Sequence, residues 1–277
     1  KLKQSKQYLR DFFLIKDDVP AFEESDIMLA LRFLEDYAIR LGKPLIIIFG
    51  LGSANGSRTG ASPLAEMMEN LTKKPNISVI TCMGNEANNK CHYKGTVMSA
   101  LVPDVMEINV DGTGKGFTME IWADSLDILS VSIESPSGEY VPRIPARMGA
   151  SMEYTFLYEG STVTVDYQIT ENVAGMEVIF VRLKTVEGTW KFYIYSLTNI
   201  KGSYNAWLPL KQFSGQDIYF LKSDPDTTLT VPAAADGVIS VGAYNHYTGA
   251  AYYESGRGYS ADGRIKPDFV APGAYVY

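Results

Sequence analysis

Apolar residues recur along this chain with two different periods, and the change of period divides it into three. Between Phe22 and Gly42, Ile27, Leu31, Leu34 and Ala38 fall at helical spacing. This predicts an amphipathic helix with Ser25-Asp26 as N-cap candidates and Gly42 as its stop. "KPLIIIFG" follows, a continuous run rich in β-branched residues that reads as a strand buried on both faces. "SPLAEMMENLTKK", with Pro63 in its first turn, predicts a second helix leading through Pro75 into the strand "NISVITCM". Strand, helix and strand of these lengths form a crossover unit of a parallel sheet.

From about Val105 the period becomes two. "MEINVDG", "GFTMEIWAD", "ILSVSIESPSG", "STVTVDYQIT", "MEVIFVRLK", "TWKFYIYSL" and "DIYFLKSD" alternate apolar and polar positions between Gly, Pro, Asn and Asp punctuation. Short strands at such spacing predict a β-sandwich or jelly roll. After about Thr228 the first texture returns, with "GVISVGAY" as a further buried strand and "RIKPDFVAPGAYVY" as an extended segment. The expected fold class is therefore α/β. An incomplete parallel-sheet core, residues 1–104 and 228–277, is interrupted by an inserted antiparallel sandwich at 105–227, about 120 residues and so an ordinary domain size. No constant repeat suggests a solenoid or propeller.

Composition narrows the function classes. A chain of 277 residues with 46% hydrophobic content can bury a sizeable core. A net charge of −7 argues against a nucleic-acid partner, because phosphate binding needs a concentrated basic face. The wholly apolar runs are far shorter than the ~20 residues of a membrane span, so no membrane partner is expected. "KLKQSKQYLRDFF" lacks the apolar centre of a signal peptide. Two cysteines, Cys82 and Cys91, exclude a disulfide scaffold and leave open whether they pair.

Candidate chemistry gathers where the two early strands end. "FGLGSANGSRTG" follows the first and "GNEANN" the second, and ligands of parallel sheets collect at the carboxyl ends of strands. A dinucleotide site fits poorly. Gly50-Leu51-Gly52 opens a GxGxxG pattern, but its sixth position is Asn55, with Gly56 one residue late, and no acidic residue ends the next strand. Cys82, Cys91 and His92 fall short of the four ligands of a structural zinc, so neither metal nor cofactor is expected. Asn85 stands out. Behind Gly84, at the end of a buried strand, its amide is a donor placed to face a cleft, the kind of group that stabilises the oxyanion of acyl transfer. The plain alternative is that Gly-Asn simply makes a turn.

The surrounding residues resemble the subtilisin-like serine peptidases, the subtilases. "VITCMGNEA" is similar to their strand ending in Gly-Asn-Glu, whose Asn completes the oxyanion hole; "IIIFGLGSANGS" resembles the strand that binds substrate backbone. "TVPAAADGVISVGAY" and, most specifically, "SGRGYSADGRIKPDFVAPG" resemble the segments that precede the family's nucleophile. The early helix and the inserted sandwich look like the clostridial spore-germination subtilases, which carry a jelly roll within the protease domain.

The resemblance implies a serine endopeptidase acting on a peptide or protein substrate. Asn85 is then the oxyanion donor, and Gly50, Leu51, Gly52, Cys82, Met83 and Gly84 bind substrate. The family's Ser, His and Asp motifs do not occur here, so the chain reads as the inert middle of a longer protease. The full-length protein would be one for which the resemblance allows a pro-peptide and a secreted or spore-associated site. Two departures stand out. Gly50 replaces the usual Ser, and Cys82-Met83-Gly84 replaces a small Ala-Ala-Gly pocket wall, where Met83 would reshape the pocket or simply fill core. A pseudoprotease is one alternative. A carbohydrate- or protein-binding module is another, built on the aromatic stretch "WKFYIYSLTNIKGSYNAWLPL", although alternation assigns Phe192, Ile194 and Trp207 to core packing.

Overall fold

The computed structural model describes residues 7–16, 19–112, 114–147, 149–170, 175–184, 186–214, 217–274 and 276. Three α-helices occur among them: α1 (Gln7–Phe13), α2 (Glu24–Leu41) and α3 (Pro63–Thr72). The strands begin with β1 (Leu45–Phe49), β2 (Ile77–Cys82), β3 (His92–Thr96), β4 (Asp104–Asp111) and β5 (Phe117–Asp124). They continue with β6 (Leu129–Glu134), β7 (Tyr140–Ile144), β8 (Ser151–Thr155), β9 (Thr162–Thr170) and β10 (Met176–Lys184). The last are β11 (Gly188–Ser196), β12 (Ser203–Trp207), β13 (Asp217–Phe220), β14 (Ile239–Asn245) and β15 (Phe269–Ala274). The architecture is thus mostly β with few helices, which corrects the α/β expectation. Eleven of the fifteen described strands lie in antiparallel sheets, and among the described residues the parallel sheet has four strands, in the order β1-β2-β14-β15.

Two compact units divide the described residues, one from 20–88 and 225–276, the other from 7–19 and 89–224. The break after Asn88 precedes the change of period at Val105 because β3 already pairs antiparallel with β12. Its sequence conceals this. Gly95 interrupts the alternation, and a β-carbon there would lie 2.2 Å from the Tyr204 ring. Helix α1 also belongs to this unit, where Phe12 stacks on Phe180 with ring centroids 5.6 Å apart.

In the antiparallel unit the sheets run β3-β12-β5-β10-β9-β8 and β13-β4-β11-β6-β7. Alternation places one face of each strand inward. Met106, Ile108, Met119, Ile121, Val165, Ile179, Phe192 and Ile194, drawn from both sheets, share one buried core. All seven alternating segments form strands. The sequence does not reveal β3, β7, β8 and β12, each of five residues.

In the parallel unit, α2 and α3 cover one face of the sheet. Leu31, Leu64, Ala65, Met68 and Leu71 pack on Ile47, Phe49 and Val79. Helix α2 starts one residue before the expected caps, so Ser25 and Asp26 lie in its first turn and Glu23 is the N-cap without a side-chain bond. The Glu24 carboxylate instead accepts the Leu64 N–H of α3 at 2.8 Å. Gly42, at φ 60, ends α2 in the left-handed conformation that glycine adopts without strain. Ser62 caps α3 by accepting the Ala65 N–H at 3.2 Å. Leu34 turns out exposed. Glu35 is buried on the inner stripe instead, paired with Lys74 and Arg32. Among the described residues the other face of the sheet is exposed at β1. Ile46 is 66% exposed and Ile48 79%, which corrects the expectation that β1 is buried on both faces.

Candidate active site at the splayed strand ends

The two early strands pair in parallel up to Phe49 and Thr81, and the Thr81 hydroxyl donates to the Phe49 carbonyl at 3.3 Å. Beyond that point they separate, and the segment Thr230-Val231 enters between them. Val231 exchanges both backbone bonds with Ser53, each at 3.0 Å, while the Thr230 N–H donates to the Met83 carbonyl at 3.0 Å. Gly50–Ser53 and Cys82–Gly84 are thereby brought to one place, at the carboxyl edge of the parallel sheet where a ligand is expected.

The glycines at these tips are required by close approach. A β-carbon on Gly52 would lie 2.4 Å from the Thr230 hydroxyl oxygen, and one on Gly84 2.5 Å from the Thr230 methyl. Gly84 also has φ +83, a conformation that strains any other residue. Its carbonyl accepts the Gly256 N–H at 2.7 Å, and Ala87 N–H donates to the Glu254 carbonyl at 3.2 Å. The bend carrying Asn85 is therefore anchored on both sides, and Asn85 itself is exposed. Gly50 faces open space, since a β-carbon there would meet no atom within 4 Å, and Leu51 is exposed beside it.

Met83 behaves differently from its neighbours. Its side chain is buried in a small cluster with Leu229, Ala233 and Ala234. Its N–H donates to the Val241 carbonyl at 3.1 Å, and its own carbonyl is taken by Thr230. The structure therefore uses Met83 as packing that fixes the strand tip. Cys82 ends β2, half-buried, opposite Val241 of β14. Cys91 lies in the core of the antiparallel unit.

The segment most specific in sequence acts here as a strap. Lys266 donates to the Val238 carbonyl at 3.0 Å and to Asp268 at 2.9 Å. The Asp268 carboxylate also accepts the Ser240 N–H at 2.6 Å and the Ser240 hydroxyl at 2.7 Å. Burial alone would raise the Asp268 carboxyl, but Ser240 and the Lys266 ammonium together hold it below the usual carboxylate range. Lys-Pro-Asp thus locks β15 onto β14 in parallel. Sequence inspection singles out the motif but not this task, and it passes over Thr230, whose only signal is its position just before Val-Pro.

Neither histidine has a catalytic setting. His92 is buried, stacked on Trp207 at 5.1 Å and hydrogen-bonded to Asn205 at 2.9 Å. His246 bonds the Ala274 carbonyl at 3.0 Å. Among the described residues no cluster of three or more His, Cys, Asp or Glu could hold a metal ion, and no helix is long and apolar enough to cross a membrane.

With this geometry in view, comparison with known proteins gives a consistent class. The family model described as "Subtilase family" matches residues 185–277. The solved structure of the Clostridium perfringens CspB protease is similar over 95% of this chain, at 25% identity and a TM-score of 0.82. The chain spans 56% of that structure's length. No curated protein matches it. The family match and the structural likeness agree, and the mostly β architecture matches a subtilase-like protease fold.

Proposed function

We propose that this chain is the central part of a subtilisin-like serine endopeptidase, cleaving peptide bonds by Ser-His-Asp acyl transfer with Asn85 as oxyanion donor. The observation that carries this reading is the pair of strand tips held together by Thr230-Val231, with the exposed Asn85 at their rim. An extended peptide laid along Gly50-Leu51-Gly52 would pair by main-chain hydrogen bonds, as added strands do. Cys82 and Gly84 form the facing wall, with Met83 behind it. As the tetrahedral intermediate forms, the Asn85 Nδ2–H donates to the oxygen that gains charge, a bond stronger in the transition state than in the ground state. In this reading the nucleophile, the base and its orienting Asp come from the rest of a longer protein, so the 277-residue chain alone does not hydrolyse peptides. The antiparallel unit is the inserted jelly roll, and the substrate is a peptide or protein.

In the full-length protein, Asn85→Ala lowers kcat by ~10²–10³ with little change in KM, measured by steady-state peptide hydrolysis. Full kcat in a correctly folded variant would reduce Asn85 to a turn residue. An inert full-length protein with its triad in place would favour the pseudoprotease. The carbohydrate-module alternative loses its support, because Trp190, Phe192, Ile194 and Trp207 are all buried. Tyr140 and Tyr193, on the outer face, meet edge-on at 69° rather than forming a coplanar platform.

A further inference from the structure

We propose that one end of the antiparallel unit docks on a lipid bilayer surface bearing anionic headgroups, through the aliphatic tips of three linked loops. The loops are residues 97–103, 125–128 and 197–202, which follow β3, β5 and β11. Register places them together, since Thr96 pairs with Ser203 and Ser196 with Leu129. Hydrogen bonds then join them. Val97 N–H donates to the Gly202 carbonyl at 2.7 Å, and Leu197 N–H to the Ile128 carbonyl at 2.9 Å. The fully buried Asp127 carboxylate accepts the Ile200, Lys201 and Gly202 N–H groups at 2.5, 2.9 and 2.6 Å. On this fixed backbone Met98, Leu101, Val102, Leu126, Leu197 and Ile200 are all exposed. The chain enters the unit ahead of β3 and leaves it at Asp224, whose N–H donates to the His92 carbonyl at 2.9 Å. Both connections thus meet the first residue of β3, while the loop end begins after its last.

Apolar side chains gathered on a surface mark an interaction site, and three features select a lipid surface as the occupant. The first is shape. Met98 and Leu101 stand clear of their loop at 82% and 90% exposure, and acyl chains close around such side chains without a preformed socket. The second is composition. Protein hot spots are built on Trp, Tyr and Arg, with Leu and Val under-represented, whereas residues 97–102 and 197–200 contain no aromatic and no charged side chain. The third is charge. The chain carries −7 overall, yet each described carboxylate at this end is engaged. Asp127 is held as above, Asp124 pairs with Lys201 at 2.5 Å, and Asp104 accepts the Tyr93 and Tyr204 hydroxyls at 2.9 and 2.7 Å. Glu177 is buried and accepts the Leu129 N–H at 2.9 Å. Lys94 on β3 and Arg147 in the loop after β7 are exposed and form no ion pair among the described residues. Apolar tips flanked by such cations match an acidic headgroup layer. The contact lies on the membrane interface and does not span it.

The test is cosedimentation of the 277-residue chain with phosphatidylcholine vesicles containing about 30% phosphatidylserine. The chain is expected to sediment with them, and about tenfold less with pure phosphatidylcholine. Leu101→Asp combined with Ile200→Asp should lower the partition by about tenfold or more, because binding scales with the apolar area inserted. Two single variants act as controls. Leu157→Asp lies at the opposite end of the unit, between β8 and β9, and Phe33→Asp lies on α2; both residues are exposed. Neither control should change the partition, and thermal melts of all these surface variants should stay close to the unsubstituted chain. A chain that does not sediment with the anionic vesicles would overturn the proposal. So would a loss from Leu157→Asp or Phe33→Asp equal to that of the double variant. A dimer in analytical ultracentrifugation that the double variant dissociates, with no vesicle binding, would make a second copy the occupant and overturn the lipid reading.

Discussion

The antiparallel unit closes its core, whereas the parallel sheet leaves one face bare. In the first, two sheets turn their inner faces toward each other, and residues from Cys91 to Phe220 share one buried cluster. In the second, α2 and α3 cover the Ile47, Phe49 and Val79 side, while Ile46, Ile48 and Phe269 on the other side are exposed. Register carries that bare face across the sheet, since Ile48 pairs with Ile80, Ile80 with Ile239, and Val241 with Phe269. Helix α2 adds Leu29, Phe33, Tyr37 and Leu41, all exposed and four residues apart. Parallel sheets are ordinarily covered on both faces, and apolar areas of this kind mark contact surfaces. The candidate site follows the same division. The self-contained unit buries Trp190, Phe192 and Trp207, and the splayed strand ends lie at the edge of the parallel sheet with apolar surface to spare.

The sharpest way to break the comparison is to cut into the closed core. Phe192 is fully buried between the sheets, so Phe192→Ala is expected to destabilise the antiparallel unit by about 3–5 kcal/mol, read from denaturant unfolding. A cost under about 1 kcal/mol would mean that this core is not what holds the unit together.

Protons act on Glu177 and Asp268, one in each unit, with opposite sign. In the antiparallel unit, burial pushes the Glu177 carboxyl up to about 7, with the Asp127 charge adding to the rise and the Leu129 N–H opposing it. Its folded pKa lies above the unfolded value, so its stabilising contribution is complete below the unfolded pKa and is lost as pH rises through about 7. Glu177→Gln should remove that slope, a change of about 3 kcal/mol between roughly pH 4.5 and 8, measured as denaturation midpoints of both proteins across that range. Asp268 in the parallel unit is held low, so its contribution is present above the unfolded pKa and is lost on acidification. Identical pH profiles for the Gln variant and the unsubstituted chain would remove Glu177 from this contrast.

The smallest effect is also the most discriminating. Ile47 and Ile48 are neighbours in β1, one buried and one 79% exposed. Ile47→Ala should cost about 2–5 kcal/mol, and Ile48→Ala no more than about 0.5 kcal/mol in this chain. Equal costs, read from thermal unfolding, would show that the outer face of the sheet is covered after all.

Much of this architecture is written locally. The helix over Glu24–Leu41, the apolar run of β1, the Pro63 start of α3 and seven alternating strands follow from spacing that each segment carries by itself. The strand ends are likewise visible, because Gly50-Leu51-Gly52 and Gly84-Asn85 interrupt apolar runs. The strands β3, β7, β8 and β12 are not. The inner edge of the antiparallel unit escapes notice because Gly95 answers to Tyr204, more than a hundred residues away in sequence.

What the sequence determined by itself, then, is which segments become helix or strand and which turns carry candidate chemistry, because propensity and periodicity act over a few neighbours. Tertiary structure alone decided which face of β1 is buried, since that depends on where α2 and α3 come to rest. It also turned Met83 inward, made Lys266 and Asp268 a strap between β14 and β15, and brought Thr230 from a distant segment into the gap between Gly52 and Gly84. These roles arise from contacts between residues far apart in the chain, and no local pattern encodes a contact whose partner is elsewhere.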